Sequence, residues 1–181
     1  MNVDGIAPMQ IKTKRVIGTK ITIADTSKLA HLFRSPFVAA TLWPDSLGGP
    51  RTTIQTQEIV DRNIKHWDTY GYGVYCFREI TTGEFVGRAG LQEANIEGEP
   101  ELELLYAIAH QYWDKGFASE ISSALIKMAF STMQVDHLVA FTLTTNYASQ
   151  RVMQKAGFDY VKDITHAGLP HVLYRVDKIS I

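Results

Sequence analysis

The chain has 181 residues, 45% of them apolar and 20% charged, which suits one globular domain with a real core. Eighteen basic residues against nineteen acidic ones leave a formal charge of -1, so the broad basic field of a nucleic-acid binder is missing and no nucleic-acid partner is expected. No apolar run approaches the roughly 20 residues that span a bilayer, and the start MNVDGIAPMQIKTKR lacks the apolar stretch of a signal peptide, so a cytoplasmic protein with no membrane partner is expected.

Residues 1–14 are expected to form a loosely ordered N-terminal segment of a single domain spanning 1–181. Residues 15–23 read as a strand from their β-branched content, and Asp25 can cap a short helix over 26–33. The largest unpatterned stretch, 35–50, is expected to hold loops and short helical turns. Over 53–67, Val60, Ile64 and Trp67 recur at i, i+4 and i+7, the spacing of a helix with one buried stripe. Residues 73–79 and 84–92 are strand-like runs joined by Ile80-Thr81-Thr82-Gly83, a connection suited to an antiparallel hairpin. Cys76, the only cysteine, lies in the apolar run Val74-Tyr75-Cys76-Phe77 and reads as a buried, inert thiol with no disulfide partner in the chain.

A third strand-like run, 101–109, follows the acidic turn Glu97-Gly98-Glu99-Pro100. After Trp113-Asp114-Lys115-Gly116 a helix begins, in which Phe117, Ile121, Leu125 and Met128 lay one apolar face on the sheet. The nearly continuous apolar run 136–144 predicts a strand covered on both faces, at the centre of the sheet. Asn146 can cap a helix running to Ala156, Gly157 stands where a left-handed cap is common, and 158–165 and 171–178 read as two further strands. The fold class is therefore α/β: a mixed, mostly antiparallel sheet with helices on both faces.

The chemistry concentrates where the third run passes through a glycine-containing loop into a helix. The first turn of a helix leaves backbone N–H groups unpaired and carries partial positive charge, which makes a seat for phosphate. Gly116 and Ala118 let that backbone approach, and the Ser119 hydroxyl can add a hydrogen bond; the bland reading is an ordinary turn. Six histidines show no H-E-x-x-H pattern and no spaced cysteine partner, so no metal is expected.

Three further pieces stand in order on these elements: Glu103-Leu104-Leu105-Tyr106, then Tyr112-Trp113-Asp114-Lys115-Gly116-Phe117-Ala118-Ser119-Glu120, then Asn146-Tyr147-Ala148-Ser149-Gln150-Arg151-Val152-Met153, continuing to Gly157-Phe158. With them the chain resembles the GNAT superfamily of N-acetyltransferases, in the branch of the ribosomal-protein acetyltransferases RimJ and RimL. The resemblance implies a splayed central strand pair and acetyl-CoA as acetyl donor, with CoA as product. Trp113, Asp114, Lys115, Gly116, Phe117, Ala118 and Ser119 would form the pyrophosphate turn. Trp113 stands where the family often has Gln or Arg, a departure familiar in this branch.

By the same resemblance, freed backbone at Tyr106 and Ile108 would pair with the pantetheine arm, and Asn146 and Ser149 would approach the far end of the cofactor. The N–H of Ile108 or Ala109 would meet charge on the carbonyl oxygen. Glu103 matches a strand glutamate that can deprotonate the acceptor, or it is a carboxylate on a solvated strand face. Many relatives have a tyrosine where this chain has Met153; Ser149, on the same helix face, is the substitute acid, or it only stabilises the first turn. Trp43 and Tyr72, with Arg51, would frame the acceptor cleft, or the aromatics belong to the core. Glu93, Glu97, Glu99 and Glu101 either attract a cationic amine or form a solvated hairpin end.

The expected activity is acetyl transfer to a primary amine, a protein N-terminus or a small molecule, by direct attack in a ternary complex. A catalytically silent CoA-binding module is the alternative, and a nucleotide-binding α/β protein would instead require an all-parallel sheet. The sequence leaves a homodimer open.

Overall fold

The computed structural model describes residues 5–178. Strand β1 (Gln10–Lys12) lies antiparallel to β2 (Val16–Lys20), with Ile11 opposite Gly18. The N-terminal segment is therefore not loose over its described part: Ala7 is 1% exposed and its N–H donates to Gly71 C=O at 2.9 Å. A three-residue strand with one inward side chain is too short to show a period of two. Residues 1–4 of that expectation lie outside the described residues.

The chain enters helix α1 (Thr26–Arg34) through a 3-10 turn at Ile23–Asp25, so Asp25 already has helical dihedrals, φ -83° and ψ -10°, and does not cap α1. Its carboxylate turns back instead: Oδ2 accepts from Thr22 N–H at 2.9 Å and Oδ1 from Arg78 Nη2 at 2.7 Å. Helix α2 (Pro36–Leu42), with Pro36 in its first turn, and a 3-10 turn at Asp45–Leu47 occupy the unpatterned stretch. Helix α3 (Thr53–Tyr70) opens with a reciprocal cap between Thr52 and Gln55.

Strands β3 (Val74–Glu79), β4 (Phe85–Ile96) and β5 (Glu99–Ile108) form a meander; β4 outruns its expected end, so the turn narrows to Glu97-Gly98. Helix α4 (Phe117–Thr132), strand β6 (His137–Leu143), helix α5 (Tyr147–Lys155) and strands β7 (Asp159–His166) and β8 (Leu169–Asp177) complete the fold. The eight strands run in the order β1-β2-β3-β4-β5-β6-β8-β7, antiparallel throughout except for β5 and β6. Strand β6, expected at the centre, is sixth of the eight, because the N-terminal part adds strands on the far side. No helix among the described residues is long and apolar enough to cross a membrane.

Side chains alternate across a strand, which sorts the site onto two faces. On β4, Arg88 lies over the Phe33 ring of α1, and Gln92 shares that face. Tyr106 of β5, opposite Ala89, points the other way and reaches α5.

Candidate active site

Strands β5 and β6 meet at a single parallel pair, Glu103 with Val139. Beyond it the strands part, and among the described residues 104–108 pair with β4 alone. Trp113 Nε1 donates to Ile108 C=O at 2.8 Å, so the Ile108 backbone faces away from β4 and into the opening. Along a strand the N–H and C=O of one residue point to the same edge, so the Ile108 N–H faces the opening too, and alternation brings Tyr106 with it. Ala109 is different: its N–H donates to Val86 C=O at 2.9 Å, which removes it from the role of meeting an oxyanion and leaves Ile108.

The turn after β5 is held by groups far away in sequence. Asp114 and Gly116 both take positive φ, +57° and +77°, which turns the chain sharply into α4. No side chain caps α4, so the N–H groups of Phe117, Ala118 and Ser119 start a helix without protein partners among the described residues. Arg15 Nη1 donates to Lys115 C=O at 2.9 Å and its Nε to Glu120 Oε2 at 2.7 Å, while Thr13 Oγ1 donates to Glu120 Oε1 at 2.6 Å. Burial alone would push the Glu120 carboxyl up, but these donors outweigh it and hold the group below the usual carboxylate range. Its negative charge, unfavourable beside a phosphate, is thereby compensated.

On the same side of the sheet, Tyr106 and Ser149 hydroxyls lie 2.7 Å apart, and Tyr106 also donates to Ser149 C=O at 3.1 Å. Burial raises the Tyr106 phenol, partly countered by Ser149. Only the Tyr106 backbone stood out in the sequence; the structure adds the contact of its hydroxyl with Ser149. Asn146 accepts from Ser149 N–H at 3.2 Å and donates to Thr142 Oγ1 at 3.0 Å, so its side chain is occupied as the cap of α5. Met153 is 3% exposed inside the core and does not share an open cleft with Ser149.

On the opposite face, Glu103 is 8% exposed, and Oε2 accepts from Gln92 Nε2 at 2.8 Å. Burial lifts its pKa to about 7 against the pull of Gln92 and of the Arg88 charge. Gln92 and Arg88 line a cleft of about 350 Å3, together with Trp43, Arg62, His66 and Glu93. Trp43 thus sits at this cleft, edge-on to Phe33 and under the Arg51 guanidinium, 4.4 Å from its ring. Tyr72 is no open wall, being 1% exposed; its hydroxyl donates to Glu93 at 2.5 Å. Of the four hairpin glutamates, Glu97 pairs with Lys162, Glu101 with His137, and Glu93 alone reaches the cleft. Cys76 is buried, and burial raises its thiol well above the usual range, as expected of an inert core cysteine.

Residues 15–159 match the sequence family described as acetyltransferase (GNAT) domain. The chain belongs to the GNAT acetyltransferases. This acetyltransferase is 32% identical over 120 residues to the uncharacterized protein YkkB of Bacillus subtilis (strain 168), covering 66% of this chain and 70% of that one. Its fold is that of a GNAT-family acetyltransferase from Bordetella pertussis, at TM-score 0.79, 22% identity and coverage of 93% and 99% of the two chains. It is equally that of RimL, a ribosomal L7/L12 alpha-N-protein acetyltransferase solved with coenzyme A, at TM-score 0.75, 15% identity and coverage of 95% and 97%.

Acetyl-CoA is the acetyl donor of this acetyltransferase, and two features of the chain's own backbone fit it. The opening beside 104–108 offers Ile108 N–H to a chain-like ligand, and the left-handed Gly116 leaves the first turn of α4 bare for phosphate. Sequence reasoning missed Arg15, Thr13, Arg88, Gln92 and His66. None carried a local signal, because what marks each is its surroundings on other elements of the fold.

Proposed function

We propose that this acetyltransferase moves an acetyl group to a primary amine by direct attack within a ternary complex, with Glu103 as base. Acetyl-CoA supplies an activated carbonyl and a thiolate leaving group. The carrying observation is the position of Glu103 at the one β5–β6 pair, where the sheet opens, one hydrogen bond behind the Arg88/Gln92 cleft. An acceptor amine has a pKa of roughly 8 to 10.4 and must lose a proton, and a carboxylate poised near neutrality is matched to that task.

In this reading Ile108 N–H faces the carbonyl oxygen, and the bare turn 113–119 takes the pyrophosphate. The Tyr106–Ser149 hydroxyl pair stands on the cofactor side of the sheet and hydrogen-bonds the departing sulfur. Because the two hydroxyls touch, either can pass a proton to the other. An acceptor screen with acetyl-CoA, reading free thiol release, tests the reading. Thiol release dependent on an amine and largely lost in Glu103→Gln is the expected result; acetyl-CoA binding with no thiol release from any amine would reduce the chain to a silent CoA-binding module.

A further inference from the structure

The acceptor cleft holds more positive charge than a bare amine needs. Three arginines, Arg51, Arg62 and Arg88, line it against one carboxylate, Glu93, whose Oε1 already accepts from Tyr72. An ammonium group would be repelled by such a wall, unless the same molecule also carried negative charge.

Two side chains lining the cleft carry a buried nitrogen that lacks a partner among the described residues: Arg88 Nε and His66 Nε2. Buried donors and acceptors are nearly always satisfied, so two unpartnered side chains lining one cavity point to a ligand seated there. Arg88 is the stronger case. Its guanidinium makes no hydrogen bond to any described residue, rests on Phe33 with 4.8 Å to the ring centroid, and has a pKa lowered by burial to about 10, so it remains charged at neutral pH. A guanidinium presents a planar fork that matches the two oxygens of a carboxylate or phosphate. Arg51 is partly spent on Leu47 and Gly49 carbonyls, but Arg62 is an exposed residue of α3 that flanks Arg88.

The cofactor does not account for this wall. The pyrophosphate turn leads into α4, and the Tyr106–Ser149 pair lies on the side of α5, whereas Arg88 and Gln92 face α1 and α3. Glu103 touches this cleft through Gln92, so a molecule seated here presents its amine end to the base. About 350 Å3 suits a small molecule.

We infer that the acceptor is a small amine that also carries an oxyanion, a carboxylate or a phosphate, held by Arg88 with Arg62 while its nitrogen faces Glu103. This rests on the reading of the cleft as the acceptor site of an acetyltransferase. A site built around a charged partner rejects the analogue lacking it, because the buried polar groups are then left unpaired.

The test compares matched acceptors in the thiol-release assay: α-amino acids against their primary amides for the carboxylate, and O-phosphoethanolamine against ethanolamine for the phosphate. The anionic member of at least one pair is expected to have a kcat/KM higher by about tenfold or more, and the pair that responds identifies the oxyanion. Arg88→Gln and Arg62→Gln should each shrink that preference toward parity, with the exposed Arg62 carrying the test if Arg88→Gln fails to fold. Neutral members used as well as or better than anionic ones, a preference untouched by Arg62→Gln and by a folded Arg88→Gln, or no turnover of any pair despite acetyl-CoA binding would each overturn the inference. Calorimetry with acetyl-CoA separates the two levels: failure to bind it sinks the acetyltransferase reading itself, and this inference with it.

Discussion

Gln92 Nε2 donates to Glu103 Oε2 across 2.8 Å, from β4 to β5, and this bond joins the Arg88/Gln92 cleft to the buried carboxylate at the fork of the sheet. The bond favours the ionised form, yet burial prevails and lifts the pKa to about 7.

Turnover should follow that titration. With Glu103 as base, kcat/KM falls about tenfold per pH unit below the folded pKa and levels off above it, so the rising limb is centred at about 7. Glu103→Gln should lower kcat by about 10²-fold or more at neutral pH, remove that limb, and leave acetyl-CoA affinity nearly intact. A pH profile of the variant with the limb still in place would make Glu103 a structural residue.

Gly116 takes φ +77° at the start of α4, where a β-branched side chain is strained, so substitution shifts the turn that presents the bare N–H groups. Gly116→Val should weaken acetyl-CoA binding by about tenfold or more in calorimetry, roughly one charge-assisted hydrogen bond's worth. Unchanged affinity would move the pyrophosphate away from this turn.

Ser149→Ala and Tyr106→Phe should each slow turnover by roughly tenfold or less, since a hydroxyl adds only hydrogen-bond stabilisation to a thiolate that already leaves well. The hydroxyls share one contact of 2.7 Å, so the double variant should lose little more than the worse single one. Additive losses in a double-mutant cycle would argue against a shared proton path. Met153→Tyr offers no rescue: at 3% exposure the larger ring overpacks the core and should cost about 1–3 kcal/mol in denaturant unfolding.

Glu120 ties the turn to the N-terminal strands, and Glu120→Gln should lower stability by about 1–3 kcal/mol at neutral pH, the range for hydrogen bonds to a charged group. Its folded pKa is depressed, so its contribution is present above the unfolded carboxylate pKa and is lost as pH falls through the folded value. Thermal melts should therefore show a gap between wild type and variant at pH 7 that closes in acid. A gap independent of pH would mean that the carboxylate charge plays no part.

Local patterns carry their information in neighbouring residues, and these were legible directly. The apolar stripe of α4, the Asn146 cap and the hairpin of β3 and β4 needed only spacing and turn chemistry, and the 113–119 turn needed only a strand, a glycine and a helix start. Asp25 shows the limit of such reading: its residue type suits a cap, but a preceding 3-10 turn and Arg78, 53 residues away, redirect its carboxylate. The site's chemistry lies beyond that limit. Whether Glu103 faces water or the core depends on which strand pairs with β5 and on Gln92 across the hairpin, and desolvation, which sets its pKa, is a property of everything packed around it. Likewise, the unpartnered Arg88, the occupied Ala109 N–H and the Tyr106–Ser149 contact arise only when elements distant in sequence are brought within hydrogen-bond range, and no periodicity encodes those distances.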